Sequence, residues 1–401
     1  MNARKIIENR FIKPFIGKES HHIGVELEFP LINKNGRDID LNFVAAICDY
    51  LEDFGFHCVL TGVHGEKLFM ENEKGDCLSF DNSYNNFEFS MMHNESLVAI
   101  HERFCRYFNI VQNYLEKENH TLYPQGSNPN YKNISVNHVP FSTYNMVSDY
   151  LHTFKGEDNT PDFPAFMSSV QTHLDTNDKV LPRAYTFFAR IDFLRGILFH
   201  NSPDFFGDGY RIYRDFLWEN SAFGKCPEIT GAIDYEFKTT DDIVDFYLKK
   251  GMFNRIRNGK YEVFSPVLIS EYFENPSYGA KEEDIECYLS FRNVEATSRG
   301  TLEVRSDCTQ KEGMFFTPPA FNLGLMENLD KAISRLDKFI KDNSITLLPS
   351  EMRKIVTDGK DISLIAPKEE LNLLQRDMIE ISKEVLIKRG LGEEKLLVFN
   401  V

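Results

Sequence analysis

Hydrophobic and polar residues alternate in four short segments that lie far apart along the chain. These segments span residues 24–29 (GVELEF), 86–90 (NFEFS), 169–175 (SVQTHLD) and 301–307 (TLEVRSD). Because successive side chains of a strand point to opposite faces, each segment predicts a strand with one apolar and one polar face. The polar faces carry Glu26 and Glu28; Glu88; Gln171, His173 and Asp175; and Glu303, Arg305 and Asp307.

Longer stretches have apolar residues at helical spacing. They predict helices over 3–13, 42–54, 95–118, 179–200, 320–341 and 369–389. Between residues 59 and 90, short apolar runs are separated by Gly and Asn, which is typical of hairpins. Strands and helices do not alternate regularly, so the pattern favours an α+β fold over a doubly wound parallel sheet.

Composition narrows the classes of function. The chain of 401 residues has 45 Lys and Arg against 61 Asp and Glu, a formal charge of −16. This acidity argues against a nucleic-acid-binding protein, because affinity for phosphate backbones needs clustered basic residues. No apolar run is long enough for a membrane span, and the seven cysteines form no C-x-x-C pair. We therefore expect a cytoplasmic protein with no membrane or nucleic-acid partner; the pattern does not specify an oligomeric state.

The polar faces of the four predicted strands suggest a chemistry. If the strands share a sheet, their carboxylates converge, and two unit charges 4 Å apart repel by about 4 kcal/mol at an effective dielectric of about 20. Such repulsion either raises pKa values or requires cations. Oxygen-rich ligands suit Mg²⁺ or Mn²⁺, and Mg²⁺ usually binds together with substrate phosphates. Arg305, two residues from Glu303 on the same predicted face, is suited to bind such a phosphate.

Three other interpretations remain open. Each strand taken alone fits a solvated outer face. Convergent carboxylates also suit a two-metal phosphoesterase or nuclease. A diverged, non-catalytic binding protein is the third. The P-loop, the Rossmann glycine fingerprint and the G-x-S-x-G motif are absent from the sequence, so these common nucleotide-binding and hydrolase templates are unsupported.

Seven weak motifs follow one another in a characteristic order over residues 22–397. They are GVELE (24–28), FEFS (87–90), GSNP (126–129), SVQTHLD (169–175), NSP (201–203), GTLEVRSD (300–307) and ISKEVLIKRGLGEEKLL (381–397). In this order they resemble glutamate–cysteine ligase family 2, the plant and proteobacterial type. That family belongs to the carboxylate–amine ligases with a glutamine-synthetase-like catalytic sheet.

The resemblance implies a fold and a cofactor. The sheet would be antiparallel and twisted into an open half-barrel, with helices packed on its apolar face. The chain would form one catalytic domain over residues 1–401, with a sheet-bearing core at 22–310 and C-terminal helices at 320–401. ATP and Mg²⁺, with Mn²⁺ as a substitute, would bind at the acidic face.

The resemblance also implies roles for individual residues. Arg305 would stabilise the transferring phosphoryl group, and Glu88 is a candidate to accept the proton of the amine. Just before the late strand, residues 287–295 lack the His and the Pro that the family often has there, so Arg292 or Arg299 would replace the family's arginine. The implied metal ligands are Glu26, Glu28, Glu88, His173 and Glu303; the nucleotide-binding residues are Gln171, Arg305 and Arg292 or Arg299; the substrate-binding residues are Trp218 and Arg211 or Arg214.

The implied reaction is ATP-dependent formation of a γ-glutamyl amide from glutamate and cysteine through γ-glutamyl phosphate, as in glutathione biosynthesis. A ligase of the same fold that uses a different acid or amine is the nearest alternative.

Overall fold

The computed structural model describes residues 1–62, 64–157, 160–205 and 207–399. In chain order the strands are β1 (Ile23–Asn33), β2 (Phe56–Thr61), β3 (Lys67–Asn72), β4 (Cys77–Phe80), β5 (Asn86–Asn94), β6 (His120–Leu122), β7 (Ser169–Asp175), β8 (Thr230–Gly231), β9 (Gly251–Arg257), β10 (Lys260–Leu268), β11 (Phe291–Arg292), β12 (Val294–Ala296) and β13 (Thr301–Cys308). The helices are α1 (Ala3–Ile7), α2 (Leu41–Glu52), α3 (Leu97–Lys117), α4 (Ser142–Thr153), α5 (Leu181–Arg190), α6 (Asp192–Phe199), α7 (Tyr213–Asn220), α8 (Thr240–Leu248), α9 (Ile269–Glu274), α10 (Thr317–Glu327), α11 (Leu329–Asp342), α12 (Pro349–Thr357) and α13 (Lys368–Arg389).

One large sheet organises the molecule. Its strand order is β12-β13-β7-β1-β5-β4-β3-β2, and all neighbours in that order are antiparallel, while β6 pairs with the end of β1. The four acidic strands are therefore direct neighbours, with Glu28 opposite Glu88 and Glu303 opposite His173. The predicted α+β class and antiparallel sheet are confirmed, whereas the half-barrel curvature stays a prediction.

The apolar face of the sheet forms the core. Val25, Leu27 and Phe29 of β1 have no exposed surface. The ring of Phe104 on α3 packs against those of Phe29 and Phe89, with centroids 6.1 and 5.1 Å apart. Burial of this face fixes the register, because a slip of one residue would bring the acidic side chains into the core.

Two of the predicted helices are interrupted. The segment 179–200 forms α5 and α6, separated at Ile191, and the segment 320–341 forms α10 and α11, separated at Asn328. The carboxylate of Asp192 accepts a hydrogen bond from Asn293 Nδ2 at 2.8 Å, and Asn328 Nδ2 donates to the carbonyl of Ile381 at 3.2 Å. These long-range bonds lie at the interruptions, and hydrophobic periodicity does not encode them.

Strand β13 contains a bulge that overturns one prediction. Its register against β7 shifts between Val304 and Asp307, so Asp307 lies opposite the core-facing Val170. Behind the sheet, buried Arg195 donates to Ser306 Oγ at 2.7 Å and to Asp307 Oδ1 at 2.9 Å. The prediction that Asp307 shares a face with Glu303 and Arg305 is therefore wrong, because the extra residue reverses the alternation.

The C-terminal helices lie against the back of the sheet. Helix α10 contacts β7, where Asn322 Nδ2 donates to Thr172 Oγ1 at 3.3 Å, and α13 packs on α10 and α11. The division of the chain at residues 22–310 and 320–401 stays a prediction. Across the described ranges, no helix has the length and apolar character that crossing a membrane requires.

Candidate active site

A cavity of about 540 Å³ lies on the polar face of the sheet. Strands β1, β4, β5, β7 and β13 form its floor, and residues from α4, α7 and the segment before β12 form its walls. Most of the predicted site residues therefore meet in one place. The predicted residues that line it are Glu26, Glu28, Glu88, Gln171, Arg214, Trp218, Arg299, Glu303 and Arg305.

Two groups of ionisable side chains lie in the site. Glu26, His173 and Glu303 form the first, and they are candidate metal ligands. One ligand atom from each lies within 4.8 Å of the others, and His173 Nε2 is 3.1 Å from Glu26 Oε1. Burial would raise the pKa of Glu26, but the neighbouring His173 and Arg299 outweigh it and hold the pKa at about 2. Glu26 is therefore ionised and available to a cation over the physiological pH range.

Glu28, Glu88 and Asp81 form the second group. Burial, together with the charge of Asp81, raises the pKa of Glu28 to about 7. Burial and the negative charges of Glu26, Asp81 and Glu28 raise the pKa of Glu88 well above its ordinary value, and burial raises that of Asp81. Repelling carboxylates of this kind are relieved by a proton or by a bound cation.

Asp81 was not among the predicted site residues. It follows β4 directly in the turn 81–85, and its backbone N–H donates to the carbonyl of Asn86 at 3.1 Å. The DNSYNN stretch suggests only a turn, since Asp and Asn are common there. Asp81 lies one residue beyond β4, which pairs with the strand of Glu88, and this position could have indicated that Asp81 lies near the site.

The carboxylate of Glu28 is held in place by strand β7. Gln171 Nε2 donates to Glu28 Oε1 at 2.6 Å, and the backbone N–H of Ser169 donates to Oε2 at 2.8 Å. Gln171 is thus placed to orient a candidate metal ligand, and its predicted contact with the nucleotide stays a prediction.

Three arginines line the cavity. Arg305 donates to the carbonyl of Ser290 at 2.7 Å, and its Nε is 3.8 Å from Glu303 Oε1. Buried Arg214 has weaker contacts: Nη2 is 3.4 Å from the Arg305 carbonyl, and Nη1 is 3.6 Å from an Asp215 carboxylate oxygen. Arg299 lies at the rim with 62% of its side chain exposed, and its Nη1 is 3.7 Å from Glu26 Oε1.

The structure distinguishes Arg211 from Arg214 and Arg292 from Arg299, the two pairs of arginines between which the sequence left the choice open. Arg211 lies outside the cavity lining, and its backbone N–H donates to the carbonyl of Thr357 at 2.9 Å. Arg292 is also outside: it donates to the carbonyl of Ala232 at 2.5 Å and is paired with Glu228. Arg214 and Arg299 therefore lie in the cavity whereas Arg211 and Arg292 do not, and their roles in binding stay predictions.

A second cavity of about 590 Å³ adjoins the first and shares Glu26 and Arg299 with it. The residues that line it include Val25, Met91 and Met92, and of these Met92 has an exposed side chain. His22 and His93 also line it, with ring centroids 5.0 Å apart.

Comparison with known proteins gives similarity at the level of solved structures. A bifunctional glutathione synthetase from Pasteurella multocida matches over 98% of this chain with 13% identity and a TM-score of 0.48. This chain spans about half (51%) of that protein's length. A glutamate–cysteine ligase from Francisella tularensis, solved in complex with AMP, matches over 95% of this chain and 87% of its own, with 11% identity and a TM-score of 0.40. The name of the second protein is that of the family whose motifs this sequence resembles. No family model and no curated protein matches the sequence.

Proposed function

We propose that the chain is an ATP-dependent carboxylate–amine ligase that activates the side-chain carboxylate of glutamate, or of a closely similar acid, as an acyl phosphate. The observation that carries the proposal is the composition of one cavity, where two groups of carboxylates lie beside Arg214 and Arg305. A carboxylate is a poor electrophile, so amide formation requires an activating group such as phosphate.

The residues on the cavity floor fit divalent cations. The first group offers two carboxylates and an imidazole within 4.8 Å of one another, and the second group is electrostatically strained without positive charge. Such a donor set suits Mg²⁺ or Mn²⁺. A bound cation would neutralise the charge of the phosphates. Glu26, His173 and Glu303 would hold one ion, and Glu28, Glu88 and Asp81 a second.

The two cavities suggest how the nucleotide is oriented. A nucleotide bound in the second cavity would extend its triphosphate past Glu26, which lines both cavities, toward Arg305. The exposed side chain of Met92 lines the second cavity and would suit a base or ribose. Arg299, shared by both cavities, would contact the phosphates at the boundary.

The remaining side chains account for the chemical steps. Arg305 would stabilise charge on the phosphoryl group as it passes from ATP to the substrate carboxylate. The amine nitrogen then forms a bond to the acyl carbon, and the phosphate leaves with the electron pair of the C–O bond. The proton released from nitrogen would pass to a carboxylate of the cavity floor, with Glu88 in its ionised, metal-free form as the candidate.

A non-catalytic role fits the same cavity less well. Five carboxylates, those of Glu26, Glu28, Asp81, Glu88 and Glu303, lie around one volume, and their mutual repulsion costs stability unless protons or bound cations relieve it. A binding protein without cations would gain nothing from this arrangement.

The decisive experiment uses hydroxylamine, a small nucleophile that captures acyl phosphates. Protein, ATP, Mg²⁺, glutamate and hydroxylamine are expected to give ADP and γ-glutamyl hydroxamate in equal amounts. Glu303→Gln is expected to lower kcat by a factor of about 10² or more, whereas Glu73→Gln, on an exposed turn, serves as the matched control. Absence of hydroxamate with glutamate and related acids, or phosphodiester cleavage without ATP, would refute the proposal.

A further inference from the structure

The charges of the cavity define which amine it can accept, given the proposed function. Among the described residues that line the first cavity, the Arg and Lys side chains are those of Arg214, Arg299 and Arg305. Arg305 is placed toward the phosphoryl group, and Arg299 lies at the boundary with the second cavity. Arg214 is therefore the remaining cation for a substrate carboxylate.

The acid substrate already requires that cation. Glutamate keeps its α-carboxylate while the side-chain carboxylate reacts, and Arg214 is buried with only long contacts of 3.4 and 3.6 Å to its neighbours. An amino acid as the amine would bring a second carboxylate, for which no further Arg or Lys remains among the described residues that line the cavity. An unpaired charge of this kind is strongly disfavoured in a partly buried site.

The cavity wall next to Arg305 is apolar. Trp218 and Phe291 stack with centroids 4.4 Å apart, and the Arg305 guanidinium lies 5.9 Å from the centroid of the Phe291 ring. Leu289 and Met167 line the same cavity. A side chain attached to the attacking amine would meet this wall once its nitrogen reaches the acyl carbon near Arg305.

We propose that the amine substrate is an apolar primary amine without a carboxylate, whose hydrocarbon or aromatic group packs against Trp218 and Phe291. This inference rests on the proposed function and replaces cysteine, the amine implied by the motif resemblance, with a different chemical class. The bond changes are those of amide formation: nitrogen bonds to the acyl carbon, phosphate leaves, and one proton passes from nitrogen to the site.

The test uses pairs of amines that differ only in the carboxylate. They are phenethylamine with phenylalanine, isoamylamine with leucine, and cysteamine with cysteine, each supplied with ATP, Mg²⁺ and glutamate. Product amide is measured by mass spectrometry together with ADP release. We expect kcat/KM for the amine to exceed that of its amino acid by at least about ten-fold in the pairs that react. Hydroxylamine, which has neither a side chain nor a carboxylate, reports on acyl phosphate formation in parallel.

A variant tests the wall itself. Trp218→Leu is expected to lower kcat/KM for phenethylamine about ten-fold more than for methylamine, because only the larger amine contacts the indole. Phe54→Leu, at an exposed position beyond the end of α2, is the control and should leave the ratio of the two rates unchanged.

The outcomes separate the two proposals. If amino acids react better than their matched amines, or if hydroxylamine alone reacts, the inference about the amine is overturned while hydroxamate formation still supports the ligase. If no hydroxamate forms with any acid, both fail. An unchanged rate ratio in Trp218→Leu would also overturn the assignment of the wall.

Discussion

Replacing Glu28 by glutamine should change how the stability of the metal-free protein depends on pH. Glu28 is buried on the floor of the cavity, and burial together with Asp81 raises the pKa of its carboxyl from 4.5 to about 7. The folded state therefore holds this proton more tightly than the unfolded state. The resulting stabilisation is fully present below about pH 4.5 and is lost as the pH rises through about 7.

The expected loss of unfolding free energy follows from the shift in the pKa of Glu28. Between about pH 5 and about pH 8, ionisation of Glu28 should cost the wild type about 2.5 kcal/mol of unfolding free energy. Glutamine resembles the protonated acid: its carbonyl can accept from Ser169, and its amide can donate to Gln171 once that side chain rotates. The unfolding free energy of Glu28→Gln should therefore not show this decrease between about pH 5 and about pH 8.

The assay is urea unfolding in the presence of EDTA at a series of pH values. Glu73→Gln, at an exposed position on the turn between β3 and β4, is the matched control and should follow the wild type. Equal pH dependence in wild type and Glu28→Gln would refute the reasoning. Added Mg²⁺ should favour the wild type at about pH 8, since glutamine supplies a poorer ligand.

Three further predictions concern neighbouring groups. Titration with Mg²⁺ near neutral pH should release about one proton, mainly from Glu28 and Glu88, and calorimetry in buffers of different ionisation enthalpy would measure it; no dependence on the buffer would contradict the assignment of these ligands. Arg299→Ala should raise the KM for ATP and leave the free energy of unfolding in urea almost unchanged. Arg292→Ala should lower the free energy of unfolding by about 2 kcal/mol and have a smaller effect on the KM for ATP. The opposite pattern would contradict the assignment of Arg299 to the nucleotide site and of Arg292 to a structural role. Asp307→Ala should lower the unfolding free energy by about 3–5 kcal/mol, because it leaves the buried Arg195 with one anionic partner fewer; a change below about 1 kcal/mol would contradict the charge pairing behind the bulge.

Which side chains share a face of a strand could be predicted from the sequence, because side chains alternate between the two faces with a period of two residues. Glu26 and Glu28 had to share a face, and Val25 and Leu27 had to share the other, whatever the rest of the chain did. That the four strands belong to one antiparallel sheet came instead from the resemblance of the motifs, and the pairing of the Glu28 strand with the Glu88 strand was not predicted, since alternation does not specify which strand lies next to which.

The features that were missed depend on contacts between distant segments. The bulge that turns Asp307 to the back of the sheet is stabilised by Arg195, more than a hundred residues away. Asp81 enters the site from a turn, where carboxylates are usually exposed. Arg211 and Arg214 are indistinguishable by spacing, and only the tertiary structure shows that Arg214, on α7, lines the cavity.

The most direct test of the central claim is a crystal structure with Mn²⁺ and a non-hydrolysable ATP analogue, read by anomalous scattering of manganese. We expect one anomalous peak bounded by Glu26, His173 and Glu303, and a second beside Glu28 and Glu88, with the triphosphate between the two cavities. Manganese bound only elsewhere on the acidic surface, with no peak over these side chains, would contradict it.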